Sequence, residues 1–151
     1  MTMYARFTSL VFAGLFAGFL TGVLVLELSL RNFDSTVYTQ VRLVELDSLD
    51  KLAIATLLPA LIATAVLVYR DFGTNRRWLT VAALILLVSV LGLTVMVNLP
   101  INADQLHWNT QSPPADWTTV RDSWQIAHTF RTTAAFLAFA ALAAPFPTRP
   151  R

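Results

Sequence analysis

The sequence has no cysteine among its 151 residues. Without a thiol, the chain cannot form a disulfide framework, a thiolate zinc site, an iron–sulfur cluster or a cysteine nucleophile. Charged residues are also scarce: they make up 13% of the chain, whereas soluble domains carry about a quarter. The net charge of +2 comes without a run of Lys or Arg, so nucleic acid is not an expected partner.

Nucleotide and acyl-transfer motifs are missing as well. The chain contains no glycine-rich phosphate loop and no GxSxG nucleophile motif. Bound nucleotide chemistry and a serine triad are therefore not expected, and no cofactor is evident from a motif.

Long apolar stretches dominate the chain, which is 56% hydrophobic and has a mean hydropathy of +0.59. Four stretches reach or approach the roughly 20 residues that a membrane-spanning helix needs. They cover residues 8–30, 51–70, 77–99 and 124–144. We predict an all-α fold with one domain, residues 1–151, that forms an integral membrane four-helix bundle in up-down-up-down order, with the lipid bilayer as its surroundings.

Local signals indicate where these helices begin and end. Thr74 or Asn75 is expected to cap the third helix, and Asp116 the fourth, because short polar side chains accept hydrogen bonds from free N–H groups there. Pro100 is expected to end the third helix and Pro145 the fourth, because proline disrupts a helix interior.

The connection at residues 31–51 is predicted to be helical from Ser35, as an upward extension of the second span. Val37, Val41, Val44 and Ser48 share one face of this extension, which is expected to be its packed face.

Charge predicts the orientation in the membrane. The side that holds both termini and the short turn at 71–77 carries six arginines and one aspartate, whereas the other side carries five basic and eight acidic residues. Short basic loops stay in the cytoplasm. We predict a multi-pass protein of the cell membrane with both termini cytoplasmic and two long loops on the non-cytoplasmic face.

Polar side chains are expected to meet at this outer face, where four span ends come together. Glu27, Asp50, Asn98 and His128 lie at these ends. The residues Arg121, Trp124, His128 and Arg131 are spaced 3, 4 and 3 apart, which places them within a stripe of about 80° on one helix.

Arg131 is the most costly of these residues to expose to lipid, because insertion scales give about 2.5–3.5 kcal/mol for arginine at a helix centre. It is therefore expected to point into the bundle and to pair with Glu27. Such a pair could simply fix helix register, or it could belong to a functional site.

His128 admits two chemical roles. With Glu27 it could perform general acid–base catalysis, since an imidazole titrates near neutral pH. Alternatively, His107 and His128 with the Glu27 carboxylate could bind a single metal ion. The spacing of the two histidines is not that of a helical metal motif.

The tryptophans also admit two roles. Indole rings commonly form a belt at the membrane interface, and Trp117 is interpreted in this way. Trp124 shares a stripe with His128 and could line an apolar pocket. We assign Trp124, Arg121, Trp108 and Asp50 to substrate binding.

Gly14, Gly18 and Gly22 form a small-residue ridge on the first span. Small residues at this spacing allow close helix approach, either within the bundle or in a homo-oligomer.

Several polar motifs occur in a fixed order in the second half of the chain. N-x-P-x-N covers residues 98–102, D-W-x-x-x-R-x-x-W covers 116–124, and H-x-x-R-T covers 128–132. In this order they resemble the anthrone oxygenase-like family of small four-helix membrane proteins, many of which have no known function.

The resemblance implies an oxygenase that uses molecular oxygen on a hydrophobic, oxidisable molecule, as family members do when they convert polyketide anthrones to anthraquinones. The positions that match the family motifs are Asn98, Asn102, Trp117, Arg121, Trp124, His128 and Arg131. Glu27 rests on its position in the first span alone.

Together these observations predict a membrane-embedded oxygenase for an aromatic or phenolic small molecule. His128 or Glu27 would remove a proton, and Arg131, Asn98 and Asn102 would stabilise the oxyanion. The alternative is a non-enzymatic membrane protein, either an accessory subunit or a binder of a lipophilic ligand, whose polar cluster is structural.

Overall fold

The computed structural model describes residues 2–144, and these residues are almost entirely helical. The α-helices are α1 (Thr2–Ser29), α2 (Ser35–Arg70), α3 (Arg77–Leu93), α4 (Leu99–Gln105) and α5 (Trp117–Ala143). A π-helical turn joins α3 to α4 without a break. The predicted stop at Pro145 lies outside the described residues, as do two of the arginines used to predict orientation, Arg149 and Arg151.

Four helices in this part of the chain are long and apolar enough to cross a membrane. They are Met3–Asn32, Ser35–Arg70, Arg77–Gln105 and Trp117–Ala143. The predicted all-α bundle is therefore confirmed. The only β-structure within residues 2–144 is an isolated bridge between Asn109 and Ser112. The side of the membrane on which each loop lies stays a prediction.

Helices α1 and α2 run antiparallel. Near one end, Arg6 pairs with Asp71 at 3.1 Å, and near the other end Glu27 pairs with Arg42 at 3.3 Å. Around the bundle, α1 packs against α2 and α5, while α3 packs against α5 and α2. The shared core is apolar and includes Ala13, Phe16, Leu20, Leu57, Ala60, Leu87, Val90 and Ala135.

The second helix begins at Ser35, as predicted, because Asp34 Oδ1 accepts a hydrogen bond from the N–H of Val37 at 2.9 Å. Its 36 residues extend about 54 Å at 1.5 Å per residue, well beyond the ~30 Å hydrocarbon core of a bilayer. The first part of α2 can therefore stand above the apolar bundle and still pack against the other helices.

The prediction that Pro100 ends the third helix is wrong. The chain remains helical to Gln105, after a π-turn at Thr94–Asn98 closed by a bond from the Leu99 N–H to the Thr94 carbonyl. Proline lacks an N–H and its ring collides with the carbonyl four residues earlier, and the wider π-turn relieves both conflicts. Because the helix continues, residues 102 and 105 lie on a rigid element.

The predicted cap of the third helix is also wrong, since α3 starts after Arg76 rather than after Thr74 or Asn75. Asp116 does occupy the cap position of α5, but its side chain makes no capping hydrogen bond.

The glycine ridge of α1 is only partly packed. A Cβ atom at Gly14 would lie 3.0 Å from the ring of Phe139, whereas one at Gly18 or Gly22 would meet no atom within 4 Å. Gly14 thus supports the contact between α1 and α5, and a homo-oligomer through this ridge stays a prediction.

Gly14→Leu is expected to lower the free energy of unfolding by about 1–3 kcal/mol, because the larger side chain overpacks the contact with Phe139. Gly18→Leu, one turn away in open space, is expected to have little effect. Unfolding in detergent micelles with increasing SDS, followed by circular dichroism, measures both. An equal loss in the two variants would contradict the packing of Gly14.

Candidate functional site

Arg42 is the most highly bonded side chain at one end of the bundle, and it is only 3% exposed. Its Nε donates to Gln105 Oε1 at 2.8 Å, its Nη1 to Glu45 Oε2 at 2.7 Å, and its Nη2 to Asn102 Oδ1 at 2.6 Å. Glu27 Oε1 lies 3.3 Å from the same Nη1. The guanidinium therefore joins α1, α2 and α4 in one buried network.

Glu27 does not form the expected ion pair with Arg131. Its carboxylate pairs with Arg42, and its Oε2 accepts a hydrogen bond from Gln125 Nε2 at 2.9 Å. The reason is the length of α2: its extension brings Arg42 beside the end of α1, where Glu27 lies fully buried.

The face of α2 that packs against the bundle differs from the predicted one. Val44 is 69% exposed and Ser48 is exposed, whereas Arg42 and Glu45 are buried. The helix extension therefore turns Arg42 and Glu45 inward. Of its valines, Val41 packs against the small cluster of Leu30, Tyr38 and Trp108, whereas Val44 is exposed.

Three side chains are stacked in a column. The Arg42 guanidinium lies 4.0 Å from the centre of the Trp124 ring. The His128 ring stacks on Trp124, with 4.6 Å between the ring centres and 10° between the ring planes. The indole Nε1 of Trp124 also donates to Asn102 Oδ1 at 2.7 Å. Trp124 is thereby fixed at its ring face and its edge, and it in turn orients His128.

The tautomer of His128 follows from one contact. Its Nε2 lies 3.0 Å from the carbonyl oxygen of Leu20, which can only accept a hydrogen bond. Nε2 must therefore carry the proton, and the neutral ring keeps its lone pair on Nδ1. This Nδ1 is buried and has no hydrogen-bond partner among residues 2–144.

Two adjoining cavities lie beside this column. The small cavity, of about 40 Å³, and the large cavity, of about 320 Å³, share Asp50, Ala53, Asn102 and Arg131 in their walls. The rest of the small cavity's wall combines the polar and aromatic residues Arg42, Glu45, Trp124 and His128 with apolar ones that include Leu20, Val23, Leu46 and Leu49. Most of the remaining wall of the large cavity is apolar and includes Ile54, Leu57, Leu58, Leu91, Val95 and Leu99.

Arg131 is the second buried arginine, and its surroundings differ from those of Arg42. It is 6% exposed, and its Nε has no hydrogen-bond partner in the described part of the chain. Asp50 acts on it electrostatically from the shared cavity wall. Arg42 is committed to protein acceptors, whereas Arg131 retains a donor at a cavity.

Each of the three polar sequence motifs contributes to the wall of the small cavity, through Asn102, through Trp124, and through His128 with Arg131. A sequence profile of the anthrone oxygenase family matches residues 49–141, which is 93 of the 151 residues. The chain belongs to the anthrone oxygenase family. No curated protein and no solved structure matches it significantly.

The anthrone oxygenase match spans Asn98, Asn102, Trp124, His128 and Arg131 but begins after the three charged residues of the buried network. Glu27, Arg42 and Glu45 all lie before residue 49. In this family member, the first 48 residues therefore supply three members of a polar centre. The matched segment supplies the others, which are Asn102, Gln105, Trp124, Gln125, His128 and Arg131.

Other residues assigned from the sequence lie elsewhere. Arg121 pairs with Asp122 at 2.9 Å and lies over the ring of Trp117. Trp108 packs near Tyr38 below the turn at 106–116. Neither Arg121 nor Trp108 lines the two cavities.

Asn98 is fully buried, but it links helices rather than lining a cavity. Its Nδ2 donates to the carbonyl oxygen of Trp124 at 3.4 Å. Asn102, one turn further, is the amide that reaches both cavities.

The three residues considered for a metal site do not come together. His107 is exposed in the turn after α4, whereas His128 and Glu27 are buried. Within residues 2–144, no three His, Asp or Glu side chains form a group that could hold a metal ion.

Sequence reasoning missed four members of the polar centre: Arg42, Glu45, Gln105 and Gln125. A signal was present, since Arg42 and Glu45 are three residues apart on one helix and can therefore share a face. No comparable signal identifies the two glutamines, because an uncharged amide side chain occurs on buried and on exposed helix faces alike.

Arg42→Met is expected to lower the free energy of unfolding by about 3–5 kcal/mol, because it leaves Glu27 and Glu45 buried without their cation. Asp122→Asn, which removes the partner of both Arg31 and Arg121 by changing a side chain that is 45% exposed, is expected to cost about 0–1 kcal/mol. Denaturation in SDS, followed by circular dichroism, compares the two. Similar losses of unfolding free energy in the two variants would contradict the role of Arg42 as the central cation of the buried network.

Proposed function

We propose that this anthrone oxygenase family member is a membrane-embedded oxygenase that oxidises a hydrophobic aromatic or phenolic molecule with O₂. The observation that carries this proposal is the unpartnered Nδ1 of His128, a residue that lines the same small cavity as Arg131. A base with an available lone pair and an unsatisfied cationic donor are the groups that carbanion chemistry requires.

The large cavity suits a flat, apolar substrate. At about 320 Å³ it lies within the roughly 300–1,000 Å³ range of small-molecule sites. Its apolar residues Ile54, Leu58 and Val95 are also substantially exposed on the outer surface of the bundle, between α2 and the third span. A lipophilic molecule could therefore pass from the bilayer into the cavity without crossing water.

Three polar residues of that cavity, Asp50, Asn102 and Arg131, lie in the wall that it shares with the small cavity, and Thr94 is the other polar residue of its lining. Asn102 and Arg131 lie where it adjoins the small cavity, and Arg131 offers an uncommitted N–H. A carbonyl or phenolate oxygen placed there would receive the negative charge that develops when the substrate loses a proton. Asn98 is better assigned to holding α5, since its amide already bonds the Trp124 carbonyl.

The proposed reaction converts a methylene carbon flanked by aromatic rings into a ketone. His128 Nδ1 accepts one C–H proton, and the resulting carbanion transfers electrons to O₂ as a C–O bond forms. Loss of the second C–H proton breaks the O–O bond and leaves the ketone and one water. One O₂ thus supplies both the ketone oxygen and the water oxygen.

A structural role for the polar centre is the second candidate, and the saturation of Arg42 favours it. Each of its three nitrogens donates to a protein side chain, as expected if this half of the centre holds helices together around a bound lipophilic ligand. Catalysis and passive binding differ in whether O₂ is consumed, and the next variant tests that difference.

His128→Gln is expected to reduce O₂ uptake with an anthrone by about 10²–10⁴-fold, because the catalytic base is lost. Thr129→Ala, at the adjacent exposed position, is expected to keep wild-type uptake. An oxygen electrode measures both in detergent, with protein-free oxidation subtracted. Equal uptake in wild type and His128→Gln would remove His128 from the mechanism, and no uptake in wild type would favour passive binding.

Ala53→Phe is expected to abolish most binding of the substrate, because Ala53 lies in the wall shared by the two cavities and a phenyl ring would fill them. Ala55→Phe, on the exposed side of the same helix, is the matched control. Quenching of tryptophan fluorescence by an added anthrone gives the affinity of each. Unchanged affinity in Ala53→Phe would place the substrate elsewhere.

A further inference from the structure

Two buried carboxylates share one nitrogen of Arg42. Nη1 lies 2.7 Å from Glu45 Oε2 and 3.3 Å from Glu27 Oε1, and the two glutamates are 5% and 0% exposed. They come from different helices, α2 and α1. A single guanidinium cannot neutralise both carboxylates if both are ionised.

Both glutamates also have an unsatisfied oxygen. The Oε1 atoms of Glu27 and Glu45 are buried and make no hydrogen bond within residues 2–144. Because both carboxylates lie against the same Nη1 of Arg42, they are close enough for their charges to repel each other. Two ionised carboxylates cannot bond because neither has a donor, but one added proton supplies that donor and cancels the excess charge.

The remaining charged and titratable groups near this pair do not supply a second cation. Arg31 donates to Gln125 Oε1 at 2.6 Å and pairs with Asp122 at 3.2 Å rather than with either glutamate. Asp50 acts electrostatically on Arg131, and the phenol of Tyr38 accepts a bond from Gln105. The Nε2–H of His128 donates to a backbone carbonyl, and no acceptor within residues 2–144 lies at its Nδ1 to stabilise a second proton. A proton is thus the simplest species that balances the second carboxylate.

The position of Glu45 connects this proton to the cavity. Glu45, and not Glu27, lines the small cavity, together with His128. His128 is 2% exposed, and its Nδ1 lacks a partner. The Glu45 carboxyl group and the His128 imidazole therefore belong to residues that line one cavity of only about 40 Å³.

We propose that Glu27 and Glu45 hold one proton between them, and that Glu45 delivers it to the peroxide oxygen formed when O₂ adds to the substrate. The shared proton stands on the geometry of the buried pair. Its delivery rests on the proposed oxygenase function.

Over one turnover, the two protons taken from the substrate carbon equal the two delivered to oxygen. His128 takes the first C–H proton, and Glu45 protonates the terminal oxygen of the peroxide anion. The Glu45 carboxylate then takes the second C–H proton as the C=O bond forms and the O–O bond breaks. The departing hydroxide receives the proton held by His128, so water forms and both side chains return to their starting states.

Infrared spectroscopy of the purified full-length protein tests the shared proton without any substrate. Wild type at neutral pH is expected to show the C=O stretching band of a buried protonated carboxyl group, shifted in D₂O. Glu45→Gln and Glu27→Gln are each expected to lose this band, because one carboxylate then remains for one arginine. Asp47→Asn, at an exposed position on the same helix, is expected to retain it. Absence of the band in wild type, or its persistence in both glutamine variants, would overturn the shared proton.

Kinetics test the delivery. Glu45→Gln is expected to keep anaerobic deuterium exchange of the anthrone methylene group, which needs only His128, but to lose about 10²-fold in O₂ uptake. Glutamine retains an oxygen for Arg42, so the fold is expected to survive, and Glu45→Asp should restore part of the uptake. Wild-type uptake in Glu45→Gln would overturn delivery by Glu45. Absence of uptake in wild type with the infrared band present would reject the oxygenase function and the delivery, and leave the shared proton supported.

Discussion

The guanidinium of Arg42 is the constraint on which the rest of its end of the bundle depends. It bonds a carboxylate on α1, a carboxylate on its own helix and two amides on α4, and it lies over an indole ring of α5. A charge buried in an apolar bundle is tolerated only when such partners surround it. The register of these helices is therefore set by one side chain.

The π-turn before Pro100 has a role in this arrangement. It lets the third helix continue past the proline, so that Asn102 and Gln105 are held on a rigid α4. Asn102 then accepts bonds from both Arg42 and Trp124 through the same oxygen. A helix that ended at Pro100 would leave these two amides on a loop.

Two buried arginines have different roles because their acceptors differ. Arg42 organises the protein, while Arg131 keeps a donor at the wall of both cavities. Trp124 connects the Arg42 network to the part of the site that holds His128, since its ring contacts both side chains. The polar centre is thus structural on one side and available to a ligand on the other.

The sequence by itself determined the four apolar helices and the membership of His128, Arg131 and Asn102 in one polar region, because apolar length and residue spacing are local properties. It could not predict that Glu27 pairs with Arg42, since that depends on the rotation of the α2 extension against α1. Arg121 and Trp108 carry equally suitable side chains but lie away from the cavities. Only the tertiary structure decided these partners, because a buried charge takes the acceptor that helix packing brings within reach.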